Sequence, residues 1–300
     1  MDPQKVTVKD VATALEEFAS RQYAEGFDNT GLLVGEPDTE VTGILVTHDC
    51  LEEVVAEAQA KGCNLVVAFH PIIFSGLKSL TGRTYVERAV MRALRAGIAI
   101  YAIHTALDNS FHGVSAGMCD ALGLADRKIL IPQEGTMKKI TTYVPTSHAD
   151  RVREALFAAG AGHIGPYDCC SYNVDGTGTF RALEGTDPFV GRIGEPHREN
   201  ETKISAVFLK HKEKDIVKVL ANSHPYEVPA YEITSLDNGS GQIGMGMIGL
   251  LPESIDEMAF LKMLRERFTK NILHDYLIKI FTIFAVRLSE INTNPINYLQ

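Results

Sequence analysis

Two apolar runs that each end at a histidine constrain the fold of this chain more than any other feature. They are NLVVAFHPIIF, residues 64–74, and IAIYAIHTALDN, residues 98–109. Apolar runs of this length, bounded by polar residues, are typical of central strands in a parallel sheet. Between them, residues 85–97 (YVERAVMRALRAG) have the apolar spacing of a helix. The segment therefore predicts two neighbouring parallel strands joined by a right-handed crossover helix.

The alternation of strand and helix extends to both sides of this segment. TGILVTHD, residues 42–49, indicates another strand, and residues 51–62 and 114–123 have helical patterns. Repeated strand–helix units are typical of α/β folds in which helices cover a parallel or mixed sheet. The first 129 residues are therefore predicted to form one α/β lobe of a two-lobed core.

The pattern changes after Ile129. Predicted strands and helices then follow in the order βαββαβ, at residues 138–145, 149–160, 167–174, 202–209, 212–223 and 228–236. This order is typical of a ferredoxin-like domain. The glycine-rich stretch DNGSGQIGMGMIG that follows indicates a return to the first lobe. We therefore expect three regions: the first lobe at 1–129, an inserted domain at 130–240, and the remainder of a second lobe with a C-terminal tail at 241–300.

The total charge and the cysteines limit the classes of function. The chain has 29 basic and 38 acidic residues, a formal net charge of −9. This acidic balance argues against nucleic-acid binding through the phosphate backbone. The five cysteines lack a CxxC spacing, and no stretch resembles a signal sequence or a membrane span. We expect a cytoplasmic protein with reduced thiols that does not bind membranes.

The candidate site lies where the predicted strands end. Pro71 favours an extended conformation for His70 at the carboxyl end of one strand, and His104 and Asp108 follow the next strand. Imidazole and carboxylate groups together are ligands for Zn, Fe or Mn. Two alternatives remain: His70 is a packed histidine bonded to a backbone group, and Asp108 caps the following helix.

A third strand end carries His48 and Asp49. These side chains are candidates for orienting a metal ligand, although Asp49 fits a helix cap equally well. DNTGLLVG, residues 28–35, has neither phosphate-loop nor dinucleotide spacing and indicates a turn. No catalytic residue is assigned from the sequence.

Several stretches in order give the chain its family resemblance. DNTGLLVG, FHPIIF, HTALDN and GMGMIGLLPE together resemble the GTP cyclohydrolase 1 type 2 homologues, also called NGG-interacting-factor-three-like, dinuclear-metal-centre hexamers. The middle region, with GTGTFRALEGTDPFVG and HPYEVPAYEI, resembles the PII-like or CutA-like domain inserted in the long members. The resemblance covers roughly residues 5 to 268.

The resemblance implies a hexameric ring with two divalent metals per subunit between two lobes, and a metal-dependent hydrolase acting on a nucleotide-like substrate. It assigns His70 and Asp108 as metal ligands and places His104 beside the site. Phe69 stands where the family has the first histidine of a His-His-Pro motif, so that ligand is missing.

The family's glycine-rich strand, Asp-rich strand and Gly-His-Tyr-x-x-Glu motif are also missing, which predicts an incomplete second lobe with a block absent around Phe268 and Thr269. We therefore expect the chain to bind at most one metal, weakly, and to have little or no hydrolase activity. His274 lies on the tail side of that junction and is given no ligand role. Two alternatives to the hydrolase stay open: a non-catalytic metal-binding scaffold, and a small-molecule sensor that uses the inserted domain.

Overall fold

The computed structural model describes residues 5–268 and 284–286. Within them the α-helices are α1 (Val8–Phe18), α2 (Glu52–Ala60), α3 (Tyr85–Ala96), α4 (His104–Asp108), α5 (Val114–Leu122), α6 (Ala149–Ala158), α7 (Glu213–Ser223) and α8 (Glu257–Phe268). The strands are β1 (Gly31–Val34), β2 (Ile44–Thr47), β3 (Leu65–Ala68), β4 (Ala99–Ala102), β5 (Ala125–Pro132), β6 (Met137–Pro145), β7 (Tyr172–Arg181), β8 (Pro196–Leu209), β9 (Tyr231–Leu236), β10 (Gly244–Leu250) and β11 (Phe284–Val286). The chain divides into two compact units, Met1–Pro132 with Gln242–Gln300 and Gln133–Gly241.

The main sheet of the first unit has the strand order β1-β4-β3-β2. Strands β2, β3 and β4 are parallel, and β1 joins β4 in the antiparallel direction. Every residue of β3 and β4 is buried, which confirms the two central parallel strands that the apolar runs predict.

Helix α3 forms the crossover between β3 and β4, and its ends explain its length. The Thr84 hydroxyl accepts a hydrogen bond from the Glu87 N–H, while Gly97 ends the helix with a φ of 64°. The helix buries Ala89, Val90 and Ala93 in the core that also contains Val66 and Ile100 of the sheet. Apolar side chains at this spacing hold the helix against the sheet.

A smaller sheet of the first unit has the order β11-β10-β5. Strand β10 carries the glycine-rich return and pairs with β5 so that Gly244 lies opposite Pro132. A Cβ atom at Gly244 would lie 2.2 Å from the carbonyl oxygen of Ile131, so this pairing requires glycine. Helices α5 and α8 contribute Cys119 and Leu264 to the core beside this sheet.

The second unit contains a four-stranded antiparallel sheet in the order β7-β8-β6-β9. Helices α6 and α7 bury Leu156 and Leu220 against Ile140 and Ile204 of the sheet. This unit therefore has a hydrophobic core of its own.

Strands β7 and β8 differ from the sequence interpretation. The strand predicted at 167–174 starts only at Tyr172, because Cys169 has a positive φ of 53° that interrupts extended backbone. The prediction that Cys169 and Cys170 lie in this strand is therefore wrong, because both residues precede it. Strand β8 begins at Pro196, six residues before the predicted start at Thr202, so part of the glycine-rich passage pairs with β7.

Within the described residues, no helix combines the length and apolar composition needed to cross a bilayer. The junction that the sequence predicts after Phe268 and the tail residue His274 lie outside the described residues.

Candidate metal centre

Three histidines meet because the main sheet continues its hydrogen bonding past the strand ends. The His70 N–H donates to the His48 carbonyl oxygen at 2.9 Å, and the His104 N–H donates to the Phe69 carbonyl oxygen at 3.0 Å. The ring centres of His48 and His70 lie 4.4 Å apart, and those of His70 and His104 lie 5.3 Å apart. The carboxyl edge of the sheet therefore gathers imidazole groups from three consecutive segments of the chain.

Asp49 joins two of these imidazoles. Its Oδ1 lies 2.8 Å from His70 Nδ1, and its Oδ2 lies 3.0 Å from His48 Nδ1. Potential ligand atoms of His48, Asp49 and His70 all lie within 4.8 Å of one another. Burial acts to raise the pKa of Asp49, but the hydrogen bonds to His70 and His48 outweigh it and lower the pKa. The carboxyl is therefore an anion at neutral pH.

This geometry decides two of the alternatives that the sequence leaves open. Helix α2 has Leu51 at its N-cap with no side-chain cap bond, so Asp49 is not the helix cap. The Nδ1 of His70 contacts a carboxylate, and its side chain is 36% exposed, which differs from a packed histidine bonded to a backbone group.

His104 is held by Asp28, a residue that the sequence analysis treats as part of a turn. The two side chains meet at 2.8 Å between His104 Nδ1 and Asp28 Oδ1, and the Asp28 carboxylate also accepts hydrogen bonds from the hydroxyl and the N–H of Thr105. The Asp28 side chain is fully buried. Burial acts to raise its pKa, but the hydrogen bonds from His104 and Thr105 outweigh it and lower the pKa.

The backbone of His104 has a φ of 29°, a conformation that side-chain-bearing residues rarely adopt. Such strain persists only where the surroundings fix the residue, and it is found most often at functional sites. Here the pairing with Phe69 and the bond to Asp28 fix it. These two contacts therefore orient the imidazole at the edge of the sheet.

Asp108 ends helix α4 and is half-buried. Burial raises the pKa of Asp108, and the nearby Asp28 charge adds to the rise, whereas His104 and His70 oppose it. Helix α5 has Gly113 at its N-cap with no side-chain cap bond, so Asp108 is not the cap of that helix. Asp108 feels the charge of His70, but it lies outside the close His48–Asp49–His70 cluster.

A pocket of about 350 Å³ opens beside these groups. Asp49, His70 and His104 contribute its polar wall, and Ile72, Phe74, Tyr85 and neighbouring residues contribute the rest. Imidazole nitrogens and carboxylate oxygens are the donors that Zn, Fe and Mn take in proteins, so the residues present fit a divalent cation.

Comparisons with known proteins identify the family of the chain. The family model described as Duf34/NIF3 (NGG1p interacting factor 3) matches residues 6–279. The chain belongs to this family.

Named relatives of this NIF3-family chain include two GTP cyclohydrolase 1 type 2 homologs. One, from Halalkalibacterium halodurans, is 39% identical over 86% of this chain and 70% of its own length. The other, from Bacillus subtilis, is 34% identical over 89% of this chain and 72% of its own length. The crystal structure of a Bacillus cereus protein related to NIF3 superposes with a TM-score of 0.77 at 33% identity, covering 88% of this chain and 71% of that chain.

Proposed function

We propose that this NIF3-family protein binds a divalent cation through His70 and Asp108, and that the bound site acts as a metal-dependent hydrolase on a nucleotide-like substrate. His48, Asp49 and His104 orient the ligands and the bound molecule. The observation that carries the proposal is the convergence of the His48, Asp49 and His70 donor atoms within 4.8 Å, with Asp108 in electrostatic contact.

The chemistry of the site supports a cation. Three imidazoles and the Asp28, Asp49 and Asp108 carboxyls surround one edge of the sheet, and His104 and His70 both favour the charged form of Asp108. A divalent ion at such a site supplies Lewis acidity and lowers the pKa of water. The Asp49 and Asp28 carboxylates hold the rings of His70 and His104 through Nδ1, which leaves the Nε2 atoms as the ring nitrogens available to a ligand.

Metal content per chain tests the binding half of this proposal. Because two protein ligands predict weak binding, the protein is first dialysed against an excess of Zn²⁺ or Mn²⁺. We expect it to carry one divalent ion per chain above the level of the dialysis buffer, measured by inductively coupled plasma mass spectrometry, and His70→Ala to carry none. His163→Ala, which removes an exposed histidine of the second unit, is the matched control and should keep the ion. Equal metal content in His70→Ala and the wild type would remove His70 as a ligand.

A second comparison separates ligands from orienting residues. Asp108→Asn should reduce metal affinity strongly, because it removes a ligand charge. Asp49→Asn should act more weakly, by about 10- to 100-fold in affinity, which is typical of partners that orient a ligand. If Asp49→Asn abolishes binding and Asp108→Asn does not, the roles of the two carboxylates are reversed.

Turnover tests the hydrolase half. GTP is the first substrate to assay, because the relatives carry the name GTP cyclohydrolase 1 type 2 homolog. We expect slow, metal-dependent GTP turnover that His70→Ala abolishes. Metal-loaded protein without turnover would instead favour a non-catalytic metal-binding scaffold.

Assembly and domain organisation complete the proposal. We expect a homo-hexameric ring, as the family resemblance implies, and a PII-like inserted domain formed by the second unit. The separate core of that unit supports the second expectation. Light scattering of the purified chain gives the number of subunits directly.

A further inference from the structure

The second unit contains a cavity of about 670 Å³, larger than the pocket beside the metal centre. Every residue that lines it lies between Tyr143 and Ala230, inside this unit. A concave space of this size is typical of small-molecule sites. The metal centre and its chemistry do not involve it.

Aromatic rings form one wall of the cavity. The ring centres of Phe180 and Tyr226 lie 5.9 Å apart, and those of Phe189 and Tyr226 lie 6.4 Å apart. These distances are typical of aromatic clusters, whose negative ring faces attract cations. Lys203 shows this attraction within the cavity, because its Nζ lies 5.9 Å from the centre of the Tyr143 ring.

Carboxylates stand beside the rings. Glu201 Oε1 accepts a hydrogen bond from the Tyr226 hydroxyl at 2.7 Å, and Glu227 Oε2 accepts one from the Asp187 N–H at 2.8 Å. Burial, together with the bond to Glu201, raises the pKa of Tyr226, so the phenol stays neutral and keeps the proton that it donates to Glu201. Both glutamates line the cavity, and Lys203 is the basic residue in its lining.

The part of β7 beside Glu201, residues 176–179, consists of small residues. A Cβ atom at Gly178 would lie 2.0 Å from Glu201 Oε2, so the glycine leaves room for this carboxylate. Residues 176–179 read Gly-Thr-Gly-Thr and line the cavity without bulky side chains. The side chains of this stretch therefore do not fill the cavity, which leaves its volume to a ligand.

We propose that this cavity binds an organic cation, with the rings of Phe180, Phe189 and Tyr226 and the carboxylates of Glu201 and Glu227 as its recognition groups. The acidic groups outnumber the basic one, which favours a cation over an anion. The aromatic faces favour a quaternary or alkylated ammonium over a small hydrated ion.

Three probes that share one ring and differ in charge test the assignment on the full-length chain. They are benzyltrimethylammonium, benzyl alcohol and benzoate, each titrated and followed through its own proton NMR signals. We expect benzyltrimethylammonium to bind saturably. Benzyl alcohol should bind more weakly by about fivefold or more. Benzoate should bind weakest. Equal or tighter binding of benzoate, or no saturable binding of the cation, would overturn the proposal.

Charge variants locate the binding. Glu201→Gln keeps an acceptor for the Tyr226 hydroxyl and should weaken the binding of benzyltrimethylammonium by about tenfold. Lys203→Met removes a charge of the same sign as the ligand and should strengthen the binding of benzyltrimethylammonium by about threefold. Glu154→Gln makes the same chemical change at an exposed position of α6, outside the cavity, and should leave the affinity for the cation unchanged. Circular dichroism verifies that each variant folds.

Glu201→Gln and Lys203→Met are expected to change the affinity for the cation in opposite directions. Either variant can therefore contradict the proposal if the other fails to fold. Weaker cation binding in Lys203→Met contradicts the charge assignment even without the Glu201 variant. An unchanged affinity in folded Glu201→Gln places the cation elsewhere on the chain and contradicts the site.

Discussion

At the scale of single residues, the pair of Asp28 and His104 sets the local geometry of the candidate metal centre. His104 has its unusual backbone conformation, and Asp28 holds the ring from a position 76 residues earlier in the chain. Sequence patterns place His104 at a strand end, because the apolar run before it is a local signal. They do not reveal Asp28, because its partner lies far along the chain and β1, the strand that follows it, has only four residues.

The pH dependence of stability follows from the lowered pKa of Asp28. A carboxyl whose pKa is lower in the folded state stabilises the fold above its unfolded pKa, and this contribution is lost as the pH falls through the folded pKa. We expect Asp28→Asn to reduce the free energy of unfolding by about 1–3 kcal/mol at pH 7. The difference from the wild type should shrink below about pH 4.

Urea unfolding at pH 7 and at about pH 3.5 checks this prediction. Asp38→Asn, which changes an exposed carboxyl of the same unit, is the control and should have little effect at either pH. If Asp28→Asn reduces the free energy of unfolding by the same amount at both pH values, packing rather than charge accounts for the effect.

At the scale of elements, the loop between α4 and α5 passes close to the end of the helix that carries Asp108. A Cβ atom at Gly113 would lie 1.8 Å from the Leu107 carbonyl oxygen, whereas one at Gly117 in α5 meets nothing within 4 Å. We expect Gly113→Ala to destabilise the protein by about 2–3 kcal/mol, because backbone must move. Gly117→Ala should stabilise it by about 0.5–1 kcal/mol through helix propensity. Thermal unfolding of both variants measures the difference, and equal effects would contradict the close approach.

Elements also show where sequence interpretation succeeds. Strands β3 and β4 were predictable because both faces are buried and the whole run is apolar. Strands β7 and β8 were misplaced because most residues of β7 are exposed, so a polar, glycine-rich sequence pairs without any apolar pattern. The positive φ of Cys169 has no signature in residue type, since glycine rather than cysteine is usual there.

At the scale of the whole molecule, the second unit should be separable from the metal centre. Every candidate metal residue belongs to the first unit, and the second unit has its own core. Strands β5 and β10 pair in an antiparallel hairpin arrangement with Pro132 opposite Gly244, so a short turn can replace residues 133–241. We expect this deletion variant to fold and to bind metal as the full chain does. A folded variant that has lost its metal would refute the separation, and circular dichroism with metal analysis distinguishes the outcomes.

The central proposal is that His70 and Asp108 hold one divalent ion, with Phe69 at the position where the family resemblance implies a further histidine. Catalytic zinc normally has three protein ligands, so two ligands predict weak binding completed by solvent. Calorimetric titration of the metal-free chain with Zn²⁺ or Mn²⁺ tests this most directly. We predict at most one site per chain, with a dissociation constant above about 1 μM, that disappears in His70→Ala. Two tight sites per chain, or a site that survives His70→Ala and Asp108→Asn unchanged, would contradict the account.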